Sequence, residues 1–543
     1  MSNSLKALIV VLPLFFGAFF VARVAFANVI DRATVDRWRN AFLVVTIIGF
    51  LTPNFWAMLF FVAVASLLFA AREPRLPALY LVLLCALPPE FALVPGFAGM
   101  NYLLLLSPQI LLAFVLLGPA MANAGKMRRE PGAGGVSTDT LFLLYILLLA
   151  ALSFRDTTVT NGMRATLALF ATFVAPYYAI SRWIKTSDDV KAMTAAVVLP
   201  VLALSAVAIA ELLLSWHFYA QVTAIWKTAN FHIYTERSGF VRVYASLINP
   251  ISFGYMVAVA TILSLPFIGN GGVKKFWGVA GLALFGAALF ATLSRGPWLG
   301  AALGVGVYFL IGPRGFSRAI QLALGGAVGF AALLPTPVGR TVYDLLPFVG
   351  EEAGETISYR QELFETGWAI ALRNPVFGST SFTNTAEMQG LVQGQGIVDY
   401  VNSYLLVVLE SGFVGLALFL GVHLTALAAT FHASRKTART DPVMSAFCRA
   451  YFAAHLAVLF MIATTSSVAP LSTVNFIIAA LGLGVSRAAR AAPSSDPVAG
   501  RADAPPGSSP AHAAPASAGP TPSPVAQGFS RPIPKHLRQY VRD

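Results

Sequence analysis

The sequence predicts an all-α polytopic integral membrane protein with about 13–15 transmembrane helices. Of its 543 residues, 57% are hydrophobic and only 11% are charged, and the mean hydropathy is +0.72. In soluble proteins roughly a quarter of the residues are charged. Apolar runs of about 20 residues, each long enough to cross a bilayer, recur along most of this chain. The net charge of +13 is that of a protein with basic cytoplasmic loops, so we expect no nucleic-acid partner.

The predicted spans follow one another with short connections until residue 336. They are the apolar segments 5–27, 41–52, 54–71, 76–94, 102–120, 139–154, 164–181, 192–215, 250–269, 277–293, 297–312, 319–336, 402–424, 446–466 and 470–486. Residues 41–71 form either one tilted helix or a hairpin that turns at Pro53-Asn54, because proline interrupts the helical hydrogen bonds. Segment 5–27 has no cleavage signature of small residues, so we expect it to remain as a helix.

The distribution of lysine and arginine predicts the orientation in the membrane. Basic residues collect in every second connection of the later chain, at 126–129, 182–191, 274–275, 314–318 and 435–439. Positively charged loops are retained on the cytoplasmic side of a membrane. The 216–249 loop, the 294–297 turn and the 337–401 connection are therefore expected on the external face.

Four parts are expected along the chain. An N-terminal transmembrane bundle occupies 1–336, a long external loop 337–401, C-terminal transmembrane helices 402–486 and a tail 487–543. The tail contains 11 of the 33 prolines of the chain, with alanine, serine and glycine between them. Such a composition cannot bury a core, so we expect a disordered tail, on the cytoplasmic side.

The 337–401 connection is too long to be expected as a plain link between two helices, although that alternative stays open. It carries eight acidic residues against three arginines. Apolar residues from Ile357 to Leu372 recur at helical spacing, which predicts an amphipathic helix on the membrane surface that ends before Pro375. The Phe377-Gly378-Ser379 segment and the glycines at 390, 394 and 396 suggest flexible covering loops over a site.

Three arginines lie at the predicted external ends of helices: Arg242, Arg295 and Arg360. The positive-inside rule does not favour arginine on the external side of a membrane. Arg295 is the clearest case, since it stands in a very short turn between two apolar helices. The planar guanidinium group suits bidentate contact with phosphate, so the three could bind a diphosphate together. The alternatives are that they reach lipid headgroups or that Arg295 pairs with Glu410.

Glu410 lies about 12 Å inside the helix that begins near Asn402. An ionisable residue at such a depth usually faces the interior of the bundle and is a functional candidate. Glu211, near the external end of its span, is a weaker candidate of the same kind. The histidines show no ligand spacing, and Cys85 and Cys448 lie in separate apolar runs. We therefore predict no bound metal and no cofactor.

Four motifs occur in order around the long loop. They are Arg242-Val243-Tyr244-Ala245-Ser246 followed by Asn249-Pro250, then Ser294-Arg295-Gly296, then Arg360 leading through Trp368 to Asn374-Pro375-Val376-Phe377-Gly378, and finally Asn402-Ser403-Tyr404-Leu405 running to Glu410-Ser411-Gly412-Phe413-Val414-Gly415-Leu416. In this order they resemble the O-antigen ligase and Wzy-type polysaccharide polymerase superfamily. The resemblance covers roughly 240–425 by motif and the rest of the chain only by hydropathy.

The resemblance implies a metal-independent membrane glycosyltransferase of the GT-C kind in the bacterial inner membrane. Its donor and acceptor would be glycans on undecaprenyl diphosphate, used at the periplasmic face, and a chain-length regulator could be a further partner. The arginines that match the motifs, Arg242, Arg295 and Arg360, would hold the diphosphate. Trp368, Asn402 and Tyr404 would belong to the loop and the acceptor side.

One position departs from the ligase pattern. The ligases commonly have a histidine immediately before the asparagine of the fourth motif, and this chain has Val401 there. The nearby carboxylates offer a substitute base, with Asp399 as the first candidate and Glu410 as the second, because a carboxylate can remove the proton of an attacking hydroxyl. We count both as catalytic candidates together with Arg295.

The absence of that histidine favours a polymerase of undecaprenyl-diphosphate-linked repeat units in exopolysaccharide or O-antigen biosynthesis. The first alternative is a ligase that transfers finished glycan to lipid A core or to a protein. The second is a polysaccharide-related transporter or flippase, which the hydropathy alone would equally suit. The long acidic loop and the lack of evident internal repeats count against that class.

Overall fold

The computed structural model describes residues 2–491 except 97–100, 125–136, 229–235, 238, 270–271, 337–338, 340–342, 344–350, 393–397 and 466–470. Most of the described residues are helical, with only two short two-stranded sheets among them. Seven helices in this part of the chain are long and apolar enough to cross a membrane, and four further apolar helices are shorter. The predicted all-α polytopic membrane fold is confirmed.

The helices of the first half are α1 Asn3–Ala25, α2 Arg32–Leu51, α3 Phe55–Ala70, α4 Leu76–Leu83, α5 Pro108–Leu112, α6 Gly118–Ala124, α7 Thr138–Leu152, α8 Val159–Leu169, α9 Ala175–Trp183, α10 Ser187–Leu214 and α11 Ala220–Trp226. Those of the second half are α12 Pro250–Gly269, α13 Lys275–Ala291, α14 Arg295–Leu310, α15 Gly315–Leu333, α16 Glu351–Ala371, α17 Ala386–Gln389, α18 Ser403–Thr437, α19 Pro442–Ile462 and α20 Leu471–Ala491. Two π-helical segments, Ala113–Leu117 and Phe170–Val174, connect α5 to α6 and α8 to α9.

The structure agrees with one of the two predicted alternatives at 41–71 and differs from the prediction at 76–120. Residues 41–71 form a hairpin of two helices, in which Asn54 caps α3 by accepting hydrogen bonds from two backbone amides. The predicted spans 76–94 and 102–120 are not continuous helices. After the short helix α4 the chain becomes irregular at Pro88-Pro89, and strands β1 (Ala92–Pro95) and β2 (Tyr102–Leu106) form an antiparallel pair. Paired prolines remove backbone donors, which prevents the helix from continuing there.

The last helix is longer than predicted. Helix α20 continues to Ala491, five residues past the predicted limit of 486, because Arg487 is held by the rest of the bundle. Its guanidinium lies 2.6 Å from Asp139 at the start of α7 and donates to the backbone carbonyl of Ser181. The predicted disordered tail from residue 492 onward lies outside the described residues.

The predicted surface helix is present as α16, and it ends at Ala371, before Pro375. Its buried side chains Leu363 and Ile370 join Leu405 and Leu409 of α18 in a hydrophobic cluster of their own, apart from the main core. The ring of Trp368 packs edge-on against Phe413 of α18. The described part of the long connection therefore has a core through which it is attached to α18.

Candidate functional site

The turn between α13 and α14 is the centre of the candidate site. It spans Thr292 to Gly296, and Leu293 has a positive φ of 48°, a conformation that non-glycine residues rarely adopt. Ser294 stands before the first turn of α14 but makes no side-chain cap, because its hydroxyl donates to the Thr292 carbonyl. The first backbone amides of α14 therefore have no side-chain cap, and a helix N-terminus of this kind attracts anions.

Arg242 packs against this turn and is only 6% exposed. Its Nε donates to the carbonyl of Thr292 at 3.1 Å, and a terminal nitrogen donates to the Ser294 hydroxyl at 2.9 Å. The backbone of Val243 also donates to Ala291. Arg242 thus fixes the shape of the turn that presents Arg295.

Glu211, at the end of α10, holds the segment that follows Arg242. Its fully buried carboxylate accepts hydrogen bonds from the backbone amides of Phe218, Tyr244 and Ala245 at 3.0–3.3 Å. His217 stacks on the ring of Tyr244 with centroids 4.1 Å apart. A buried carboxylate that satisfies three backbone donors is a structural element, which places Glu211 behind the candidate site instead of in it.

We expect Glu211→Gln to lower the free energy of unfolding by about 2–4 kcal/mol, because the amide N–H₂ would face backbone donors in a buried site. The product yield should fall as well, since Arg242 would lose its support. Thermal unfolding of the purified protein in detergent, with Ser205→Ala on the same helix as the control, measures the effect. Ser205 bonds only to its own helix backbone. Equal melting temperatures for the two variants would contradict this role.

A fourth arginine, Arg237, belongs to the same cluster. It lies in the short strand β3 (Glu236–Arg237), which pairs with β4 (Phe240–Val241), and it donates to the carbonyl of Leu293 at 3.2 Å. This residue was not predicted from the sequence. The only available signal was its position five residues before Arg242, on the same predicted external loop.

Arg360 reaches the cluster from α16. It donates to the carbonyl of Thr464, after the end of α19, at 3.2 Å. Thr464 and Thr465 in turn pack against Gly296, where a Cβ atom would come within 2.9 Å of the Thr465 methyl group. The pKa of Arg360 is lowered, mainly because burial removes water from its guanidinium. The charge of Asp399 opposes this shift and that of Arg237 adds to it, so both groups are neighbours of Arg360. We call Arg237, Arg242, Arg295 and Arg360 the arginine cluster.

Asp399 lies beside this cluster in the segment that precedes α18. Its backbone N–H donates to the hydroxyl of Tyr359, which donates to the Asp399 carbonyl, at 3.1 and 3.2 Å. Asn402 accepts from the backbone amides of Tyr404 and Leu405 and thus caps α18. The Tyr404 hydroxyl donates to the carbonyl of Leu459. Asn402 and Tyr404 therefore position the start of α18 next to Asp399.

The third and fourth motifs cross each other through their backbones. The amide of Ser379 donates to Leu409 at 2.8 Å, and that of Phe413 donates to Pro375 at 2.7 Å. The guanidinium of Arg155, in the turn that follows α7, donates to the carbonyls of Phe377, Gly378 and Glu410. The expected flexible cover at 377–379 is thus wrong, because these residues are fixed to α18. The glycines at 394 and 396 lie outside the described residues.

Glu410 makes no ion pair with the arginine cluster among the described residues. Within the described part of the chain its carboxylate has no hydrogen-bond or ion-pair partner, so the alternative in which it pairs with Arg295 is not observed. It lines a cavity of about 330 Å³ between α7, α18 and α20. The structure therefore brings Arg242, Arg295, Arg360 and Asp399 to one place and Glu410 to another. In the described residues no group of three or more histidine, cysteine, aspartate or glutamate side chains could hold a metal ion.

Part of the chain matches a known protein family. Residues 280–420 match the family model Wzy_C, described as O-antigen ligase, and this range includes Arg295, Arg360, Asp399 and Glu410. No curated protein matches the chain. The match supports a membrane glycosyl-transfer enzyme of O-antigen ligase-like polysaccharide biosynthesis. The match therefore supports, for this segment, the resemblance to the O-antigen ligase and Wzy-type polymerase superfamily.

Proposed function

We propose that this protein polymerises oligosaccharide repeat units carried on undecaprenyl diphosphate, at the periplasmic face of the inner membrane. The growing glycan on one carrier is transferred to the repeat unit on another, and the first carrier is released as undecaprenyl diphosphate. The observation that carries the proposal is the arginine cluster, in which arginines from three separate parts of the chain lie at or beside the N-terminus of one helix.

The arginine cluster suits a departing diphosphate. Arg242 and Arg237 donate hydrogen bonds to the 292–296 turn, and Arg295 is the first residue of α14. Arg360 approaches from α16. Negative charge on the leaving diphosphate increases in the transition state, so preorganised cations stabilise the transition state more than the bound substrate. The leaving group then needs no proton, and the reaction requires only a base that removes the proton of the acceptor hydroxyl.

Asp399 is the proposed base. The acceptor hydroxyl oxygen forms a bond to the anomeric carbon of the donor glycan while the bond between that carbon and the diphosphate oxygen breaks. The proton of the hydroxyl passes to the Asp399 carboxylate, and the bonding electrons leave with the diphosphate. Asp399 is suitably placed, because it is a neighbour of Arg360 and its backbone is held by Tyr359.

We expect Asp399→Asn to lower the rate of glycan extension by about a hundredfold, since an amide cannot accept the proton. The rate is measured as lipid-linked repeat consumed per minute by the purified protein in liposomes. Asp344→Asn, another acidic residue of the same long connection, is the control. Full activity of Asp399→Asn would mean that Asp399 is not the base, and Glu410 would then be the remaining candidate.

The function itself is tested in the host. The gene is deleted, and the lipid-linked and surface glycans are separated by gel and identified by mass spectrometry. Single repeat units that return to long chains on complementation would support the polymerase. Repeats trapped at the cytoplasmic face would identify a flippase instead.

The second candidate is a ligase, and the description of the matching family model favours it. Val401 counts against it, because a histidine commonly stands at this position in ligases. Long glycan chains that accumulate on undecaprenyl diphosphate in the deletion strain would establish the ligase.

A further inference from the structure

The cavity that Glu410 lines has the lining of a ligand site, and the proposed transfer step makes no use of it. Its volume of about 330 Å³ lies at the lower end of the range of small-molecule sites. It opens between α7, the π-helical segment Phe170–Val174, α18 and α20. We call it the Glu410 cavity. Aromatic rings of Tyr145, Phe173 and Phe476 form part of its wall, together with polar side chains.

The polar groups in the Glu410 cavity include both kinds of hydrogen-bonding partner. The Glu410 carboxylate, without a partner in the described part of the chain, can only accept when ionised. The hydroxyl of Tyr255 contacts Oδ1 of Asn475, which leaves the amide N–H₂ of Asn475 as a donor. Ser403 and Ser472 add hydroxyl groups that donate or accept.

These groups indicate the chemistry of the occupant. A lipid chain in the cavity would cover the Glu410 carboxylate and the Asn475 amide without giving them hydrogen-bond partners, which is unfavourable. A phosphate would be repelled by the Glu410 carboxylate, and the terminal nitrogens of Arg155, which also lines the cavity, already donate to three backbone carbonyls. A sugar ring satisfies both groups, because its hydroxyls donate and accept while its C–H faces pack against aromatic rings.

Two smaller cavities lie next to the Glu410 cavity, as their shared lining residues show. A neighbouring cavity of about 150 Å³ shares Ser472 with it and is lined by Gln109 and Thr172. A third of about 220 Å³ shares Leu105 and Ile110 with the second and includes Asn161, Arg164 and Tyr102. The three cavities follow one another beside α8, so together they offer room for an extended oligosaccharide instead of a single ring.

The Glu410 cavity is close to the arginine cluster. Ser403 lines the cavity, and Asp399, four residues earlier, is a neighbour of Arg360. Four residues of extended chain span at most roughly 14 Å. The segment from Asp399 to Ser403 thus lies between a site for a diphosphate and a site for a sugar.

We propose that the Glu410 cavity and its two neighbours bind the saccharide of the acceptor, with Glu410 and Asn475 as its hydrogen-bonding partners. This inference rests on the proposed function and deepens it. The acceptor glycan lies along α8, and its terminal hydroxyl reaches Asp399 from the side opposite the arginine cluster. Glu410 then selects the acceptor sugar and does not act as the base.

The test uses a cysteine placed at the cavity. Both natural cysteines, Cys85 and Cys448, are buried, so Ser472→Cys provides a single reactive position for a charged, membrane-impermeant maleimide. The probe is the oligosaccharide released by mild acid from the surface glycan of the host. We expect it to slow labelling of Ser472→Cys in the full-length protein in nanodiscs.

Two changes in the Ser472→Cys protein should remove this protection. Glu410→Gln takes away one charge-assisted hydrogen bond, which should raise the protecting concentration about tenfold. Leu149→Trp fills the cavity from α7. The matched control is Leu147→Trp on the same helix, because Leu147 is 55% exposed and does not line the cavity. The Leu147→Trp protein should react with the maleimide at the rate of the parent and be protected equally by the oligosaccharide. That result would also show that a tryptophan on α7 is tolerated.

Three results would overturn the inference. One is labelling that the oligosaccharide does not slow. Another is equal protection in the parent and in Glu410→Gln, and the third is protection by undecaprenyl phosphate alone, which would make the cavity a lipid site. The proposed function is judged separately, by the glycan chain length of the deletion strain complemented with Arg295→Ala. If that strain lost its polymer while the oligosaccharide failed to protect Ser472→Cys, the proposed polymerase function would stand and the Glu410 cavity would not be the acceptor site.

Discussion

Replacement of Arg295 by alanine should lower the rate of glycan transfer by about a thousandfold while the protein remains folded. Removal of one preorganised group that stabilises transition-state charge typically costs a factor of about 10²–10³. We expect the upper end for this residue, because Arg295 carries a full charge at the N-terminus of α14. Arg295→Lys should recover only part of the rate, since an ammonium cannot make the bidentate contact.

The measurement is the rate of chain extension in liposomes, accompanied by the affinity for undecaprenyl diphosphate. Arg318→Ala is the control, because Arg318 is an exposed residue of α15 near the other end of α14. A similar loss in both variants would mean that the effect is one of net charge. Unchanged extension by Arg295→Ala would remove the arginine cluster from the proposed mechanism.

Replacement of Gly412 by alanine should destabilise the protein severely, although it adds only one methyl group. Gly412 has φ 69° and ψ −172°, a conformation that is essentially restricted to glycine, and it divides α18 into two helical parts. A Cβ atom there would overlap the carbonyl of Val376, which lies in the segment that crosses α18. We expect a loss of about 3 kcal/mol or more in the free energy of unfolding.

Gly286→Ala is the matched control, because Gly286 lies in α13 and a Cβ there would meet no atom within 4 Å. It should stabilise the protein slightly, since glycine inside a helix costs roughly 0.5–1 kcal/mol relative to alanine. Both variants are compared by thermal unfolding in detergent and by the amount of folded protein in the membrane. If Gly412→Ala melted with the parent protein, the crossing of the two motifs would not constrain this position.

Much of the fold could be predicted from local pattern. The apolar runs predicted a polytopic membrane protein, and the helical spacing before Pro375 predicted the surface helix α16, because both depend only on residues close together in the chain. The β1–β2 hairpin was missed. Its residues are as apolar as a span, and hydropathy alone does not distinguish a strand from a helix.

The candidate site could be predicted only in part. The arginines at 242, 295 and 360 were found because they lie at predicted external ends of helices, where arginine is not favoured. Arg237 carried no such signal, since it lies within a polar loop. Glu211 and Glu410 both looked like candidates, as carboxylates inside predicted spans.

By itself the sequence determined the class of protein, the order of its motifs and the types of residue available for chemistry. Only the tertiary structure decided which of these residues share a site. Glu211 serves three backbone amides, Glu410 faces a separate cavity, and Asp399 lies beside Arg360. The physical reason is that the direction of a side chain in a membrane bundle depends on which helices pack together, and in α18 also on a bend at one glycine.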